Sequence, residues 1–318
     1  MKDTVKSMSL HAFIRLVALS ALLVVAPKAA FAETASQPWP ISIRNQIDRI
    51  GNVEYRLRKS AANLCSDSDT LTGIKIDYIG AYATGDQQVV REYAGLGDAP
   101  QVISVAAGSP AEAAGVQVGD DILSVNGMPI SQLHTQSDDT ALLADQIEER
   151  LAATPEGRDV TLVLERDGQP VTVSFKGETA CATRFILKTG KGLTAYSDGN
   201  NVALSGKLVD FARNADELAI FAGHELAHVI AMDGKARGLR QRRAMEDRAD
   251  ILGADLMRCA GFDVNRGLAI WQRYNKRDWL RWLRGPSHRN VPERIRRIEA
   301  HLESVPMVCP PEVPPLAD

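Results

Sequence analysis

His224-Glu225-Leu226-Ala227-His228 sets two histidines four residues apart, with a glutamate directly after the first. On an α-helix, four residues turn the chain by about 400° and raise it by about 6 Å, so both imidazoles converge on one point beside the helix. Two neutral imidazoles there supply half of a tetrahedral zinc shell. Glu225 then lies off the metal but within reach of a metal-bound water, where a general base belongs. The flanks predict the helix. Asn214-Ala215-Asp216-Glu217 offers an N-cap with a glutamate three residues on, Leu218, Ile220, Phe221, Leu226 and Val229 supply an apolar run, and Gly234 is the expected stop. Buried His, Glu and His this close together are costly without a cation.

A catalytic zinc ion needs a third protein ligand and one position left for water. Arg243-Ala244-Met245-Glu246-Asp247-Arg248-Ala249-Asp250 leads into Ile251, Leu252, Ala254, Leu256 and Met257 and ends near Gly261, a second helix with an apolar stripe. Glu246 and Asp250 share a face of it. Glu246 is the expected third ligand, and Asp250 the acceptor for the free ring N–H of a ligating histidine. Asp247 and Asp255 are the competing carboxylates.

H-E-L-A-H followed by E-D-R-A-D resembles the HtpX-like and CAAX-prenyl-protease-like family of zinc endopeptidases, whose pattern is H-E-x-x-H and then E-x-x-A-D. The resemblance covers roughly residues 185–301. Ala195-Tyr196-Ser197-Asp198-Gly199 is similar to the family's substrate-side strand, and Ser287-His288 with Arg294 keeps the spacing of its H-P-x-x-x-x-R segment, with Arg289 in place of the proline. The resemblance implies an α+β fold: a mainly helical, zincin-type (gluzincin) metallopeptidase domain with a small β-strand substrate edge. It also implies one Zn2+ per chain on His224, His228 and Glu246, Glu225 as general base, and His288 and Arg294 as groups that stabilise an oxyanion or bind substrate.

The chain's beginning reads as an export signal. Lys2, Lys6 and Arg15 precede an apolar run at residues 16–25, and Ala30-Phe31-Ala32 gives a cleavage site before Glu33. No segment reaches the roughly 18 apolar residues of a membrane span. The expected setting is periplasmic or secreted, with a soluble mature chain. Cys65, Cys181, Cys259 and Cys309 suit an oxidising compartment and allow three pairings. The preferred one is Cys65 with Cys181, which ties together the ends of an inserted domain, and Cys259 with Cys309, which pins the Pro-rich tail.

Between the first two cysteines lies sequence of another kind. Gln101-Val102-Ile103-Ser104-Val105 is a strand candidate, followed by Gly108-Ser109-Pro110-Ala111-Glu112-Ala113-Ala114-Gly115 and by Gly119-Asp120-Asp121-Ile122-Leu123-Ser124-Val125-Asn126-Gly127. Pro110 opens a short helix, Gly115 closes it, and Asn126-Gly127 makes a tight turn. This resembles a PDZ domain of the bacterial protease-associated type, a β-barrel-like fold that binds extended peptide by strand addition. Residues 138–151 read as its longer helix, and Val160-Leu164 with Val171-Phe175 as a hairpin around Asp167-Gly168. Gly95-Leu96-Gly97 is similar to a glycine-rich carboxylate loop and is the candidate peptide-binding segment.

The expected organisation is a signal peptide at 1–32, a helical segment at 33–68 with the stripe Ile43, Ile47, Ile50, Val53 and Leu57, a PDZ domain at 69–180, a zinc peptidase domain at 181–304 and a Pro-rich tail at 305–318. With 37 Lys and Arg against 40 Asp and Glu, the chain carries a net charge of −3. Its basic residues after Cys181 fall on helical patterns with Trp271, Trp279 and Trp282. Together with the export signal, this speaks against nucleic acid. The expected partners are polypeptide substrates, held at the PDZ by their C-termini, and envelope protein complexes. Misfolded or envelope proteins are the leading substrate class. A PDZ-based chaperone or adaptor with a latent zinc domain, and a zinc amidase acting on cell-wall peptides, are the alternatives.

Overall fold

A computed structural model describes residues 37–277 and 288–316. The proposed signal peptide, Ser287, Trp279 and Trp282 lie outside these residues. Helices α1 (Trp39–Ser60), α2 (Thr84–Ala94), α3 (Pro110–Ala113), α4 (Ile130–Gln136) and α5 (Leu143–Ala152) belong to the first half of the chain. Helices α6 (Gly206–Phe211), α7 (Ala215–Ile230), α8 (Leu239–Cys259), α9 (Val264–Arg277) and α10 (Val291–Ser304) form most of the second. The strands are β1 (Ser68–Leu71), β2 (Ile74–Asp77), β3 (Gln101–Val105), β4 (Asp121–Val125), β5 (Met128–Pro129), β6 (Asp159–Arg166), β7 (Gln169–Lys176), β8 (Glu178–Cys181), β9 (Arg184–Lys188), β10 (Ala195–Ser197) and β11 (Asn201–Ser205). No described helix is long and apolar enough to cross a membrane.

Two apolar cores follow from these elements. The first lies under the sheet of order β2-β3-β4-β6-β7, in which β5 also pairs with β4 and all pairings are antiparallel. Ile74, Ile76, Val102, Ile122, Ile147, Leu162 and Leu164 fill it. The turns form as read from the sequence. Ser109 Oγ accepts the Glu112 N–H to start α3, Asn126 and Gly127 both take positive φ, and so do Asp167 and Gly168 between β6 and β7. The long helix departs from expectation. Asp139 accepts the Ala141 N–H in an extended conformation, a short 3-10 turn follows, and α5 begins only at Leu143. β1 and β8 pair as an antiparallel neck beside the Cys65–Cys181 disulfide, and the second disulfide, Cys259–Cys309, holds the tail to the end of α8. Both preferred pairings are present.

The second core is helical and includes Leu218, Ala222, Leu226, Leu252, Leu256, Leu268 and Trp271. A small sheet of order β10-β11-β9 flanks it, with β11 antiparallel to β10 and parallel to β9. α1 serves both halves. Ile50, Val53 and Leu57 enter the helical core, while Tyr55 packs with Leu71, Ala106 and Ala180 near the neck. The described residues therefore form one compact unit with two cores.

α7 and α8 approach through glycines. A Cβ built on Gly253 would meet the backbone of the facing helix, His224 N at 2.8 Å and Gly223 C at 2.9 Å. Only hydrogen at these positions lets the two helices pack at this distance. Gly253→Ala is expected to push α8 outward and to destabilise the fold by about 2 kcal/mol, the usual scale of overpacking. Urea unfolding of the variant beside the parent checks it, and a loss under 0.5 kcal/mol would show that the helices have room to spare.

Candidate metal centre

α7 starts where the sequence places it. Asn214 caps it by accepting the Glu217 N–H at 2.9 Å, and Glu217 in turn accepts the Arg213 N–H and pairs with Arg273. Its far end differs from expectation. The helix closes at Ile230, and Met232, not Gly234, takes the left-handed conformation with φ 50°. That turn folds Asp233 back onto the helix, with its N–H on the His228 carbonyl. α8 begins at Leu239, four residues before the expected Arg243.

The glycine contact between α7 and α8 brings His224, His228 and Glu246 together, their ligand atoms all within 4.8 Å of one another. Glu246 Oε2 lies 3.2 Å from His224 Nε2 and 3.5 Å from His228 Nε2, and the two Nε2 atoms are 3.2 Å apart. The other ring nitrogens are committed. His224 Nδ1 meets Asp250 Oδ1 at 2.9 Å, and His228 Nδ1 meets Asp233 Oδ2 at 2.8 Å. A carboxylate can only accept, so each histidine directs its Nδ1–H outward and turns Nε2, the atom a metal would take, inward. Two imidazole nitrogens and a carboxylate oxygen thus face one point. Glu246 Oε2 is buried among three imidazoles, those of His224, His228 and His288. The donor set fits a zinc ion.

The electrostatics point the same way. Burial pushes the His228 imidazole down, yet hydrogen bonds to Asp233 and Glu246 and the charges of Glu246 and Glu225 outweigh it and raise it to about 10. His224 is raised against burial by Asp250 and Glu246. Burial also pushes Glu246 up, and the imidazoles of His224, His228 and His288 more than reverse this, leaving it below the usual carboxylate range. The pocket draws positive charge.

Around these groups, some expected residues keep their assigned surroundings and others do not. Asp250 stands behind His224 as read from the sequence. Burial raises its carboxyl, but the Arg294 guanidinium and the His224 ring hold it at about 2. Arg294 is the correction. Its Nε and a terminal nitrogen reach Asp250 at 2.8 and 2.5 Å, and the guanidinium lies over the Trp271 ring. A fork spent on Asp250 orients that carboxylate and is not free for an oxyanion. His288 does approach the centre, with Nε2 2.7 Å from Glu246 Oε2. Asp247 pairs with Arg289 and Arg297, and Asp255 with Arg258 and His301, which removes both from competition as ligands.

Two contacts escaped the sequence reading. Asp233 holds His228 while its other oxygen pairs with Arg248. Ser197 Oγ donates to Glu225 Oε2 at 2.9 Å from β10, the outer strand of its sheet. The Gly95-Leu96-Gly97 segment lies at the end of α2. Gly95 ends α2 in a left-handed cap, Leu96 is buried in the sheet core, and Gly97 lies beside Asp121, the first residue of β4.

Residues 101–166 match the PDZ domain family model, and a PDZ domain is present in the chain. No curated protein matches the chain. Among solved structures, "HtrA-type protease AlgW with decapeptide" is 22% identical, with a TM-score of 0.26 over 35% of this chain and 30% of that one. A serine endoprotease from Yersinia pestis is 28% identical, with a TM-score of 0.20 over 25% of each chain. The chain thus spans less than a third of the length of either. None of these matches supports the resemblance of the second half to zinc endopeptidases.

If Asp233 orients His228, Asp233→Ala should weaken zinc about 10- to 100-fold, the scale seen when a carboxylate behind a ligating histidine is lost. Asp250→Ala should do the same. Competition with a chromophoric chelator measures both, and unchanged affinity in Asp233→Ala would remove that role.

Proposed function

We propose that this chain is an exported zinc-dependent endopeptidase whose PDZ domain holds its polypeptide substrates. The observation that carries the reading is the convergence of the His224 and His228 Nε2 atoms with Glu246 Oε2, each ring fixed from behind by a carboxylate. Bound there, zinc would supply a Lewis acid for the scissile carbonyl and lower the pKa of a water molecule. Glu225 would take that water's proton on its carboxylate and return it to the leaving amine, with Ser197 fixing which oxygen is engaged. β10 offers its outer edge to an extended substrate beside Glu225. Two disulfides support an oxidising compartment.

The decisive test combines metal content with turnover. The purified protein should contain one zinc per chain and cleave an unfolded polypeptide. Glu225→Gln should keep the metal and lose at least about a hundredfold in rate, the contribution of a positioned general base. Zinc without cleavage in the parent would favour the adaptor reading, and normal turnover by Glu225→Gln would sink the mechanism.

A further inference from the structure

β2 is the outer strand of the PDZ sheet, paired with β3 on one side and with no strand on the other among the described residues. Such an edge is where an extended peptide adds, its backbone taking up the free N–H and C=O groups. In this chain the edge is already engaged from within. Glu148 of α5 accepts the Ile76 N–H on Oε1 at 2.9 Å, and its Oε2 lies 3.3 Å from Lys75 Nζ. Lys75 also pairs with the buried Glu54 of α1 at 2.8 Å, and Gly51 of α1 lies against the Lys75 stem. The cleft between α1, β2 and α5 is a cavity of only about 50 Å³. That is far below the roughly 300 Å³ at which ligand pockets begin.

Two donors, a strand amide and an ammonium, therefore meet on one internal carboxylate. The terminal carboxylate of a peptide offers the same chemistry. We propose that Glu148 is an internal stand-in for a peptide C-terminus, which keeps the PDZ edge closed until an incoming α-carboxylate displaces it. Charge bookkeeping favours this class of ligand. A carboxylate that replaces Glu148 leaves Lys75 balanced, whereas a neutral carbonyl would leave it with Glu54 alone and cost the buried pair one of its partners. The inference rests on the PDZ as a peptide-binding module and is independent of the zinc chemistry.

Fluorescence anisotropy of the full protein tests it, with fluorescein-labelled decapeptides ending in apolar residues, each made with a free and an amidated C-terminus. Glu148→Ala and the isosteric Glu148→Gln should bind the free-acid peptides about tenfold more tightly than the parent, the order of one charge-assisted hydrogen bond. The amidated twins should gain nothing. Equal affinity across the three proteins, or a gain shared by the amidated peptides, overturns the stand-in role while leaving peptide binding in place. Absence of binding by all three overturns both. Unfolding midpoints of the two variants close to the parent's confirm that each is folded.

Discussion

The contact that everything at the candidate metal centre depends on is the backbone approach of α7 to α8 at Gly223 and Gly253. His224 is the next residue after Gly223, and Asp250 lies three residues before Gly253, one turn along the facing helix. With the helices this close, the side chains of His224 and Asp250 are long enough to meet at 2.9 Å, and Glu246, one further turn away, reaches both imidazoles. Any larger residue at the crossing would separate the donors by more than a hydrogen bond can span. The chemistry is thus set by the absence of two side chains as much as by the presence of three.

Close packing alone would make this arrangement unstable, since it buries carboxylates and imidazoles together. The surrounding charges offset that cost in two matching layers. Asp250 is backed by Arg294 and Asp233 by Arg248, so each carboxylate that orients a histidine is itself paired. Arg294 further stacks on Trp271, which fixes its plane. What remains is the inner point, where two imidazole nitrogens meet the Glu246 carboxylate. A cation bound there would bridge all three groups.

Much of this was legible in the sequence because it depends on helical spacing. Four-residue intervals put His224 with His228 and Glu246 with Asp250, and turn residues such as Asn126-Gly127 announced the PDZ hairpins. Asp233 was not legible, because it reaches His228 only through a left-handed turn at Met232, and methionine carries no signal for that conformation. Arg294 was misread for a related reason. Its spacing from His288 gives its neighbourhood, but the choice between Asp250 and an open site is decided by which carboxylate the helix crossing delivers. The place of Gly95-Leu96-Gly97 was not legible because glycines mark turns of many kinds, here the end of α2, while the free edge of a sheet is a property of strand order.

The two halves meet chiefly through α1, and burial decides which of their links matters. Arg184 of β9 pairs with Asp145 and Glu149 of α5, but all three side chains are more than a third exposed, and such pairs contribute little. Glu54 is 2% exposed, binds Lys75 of β2 and Arg58, and lies 3.4 Å from the Phe185 N–H of β9. One buried carboxylate on α1 therefore touches both the peptide edge of the PDZ and the sheet whose outer strand carries Ser197 to Glu225. Losing Glu148 from Lys75 would leave that ammonium with Glu54, the same carboxylate that the Phe185 N–H of β9 approaches, so α1 carries a buried acid common to both halves' sheets at this junction.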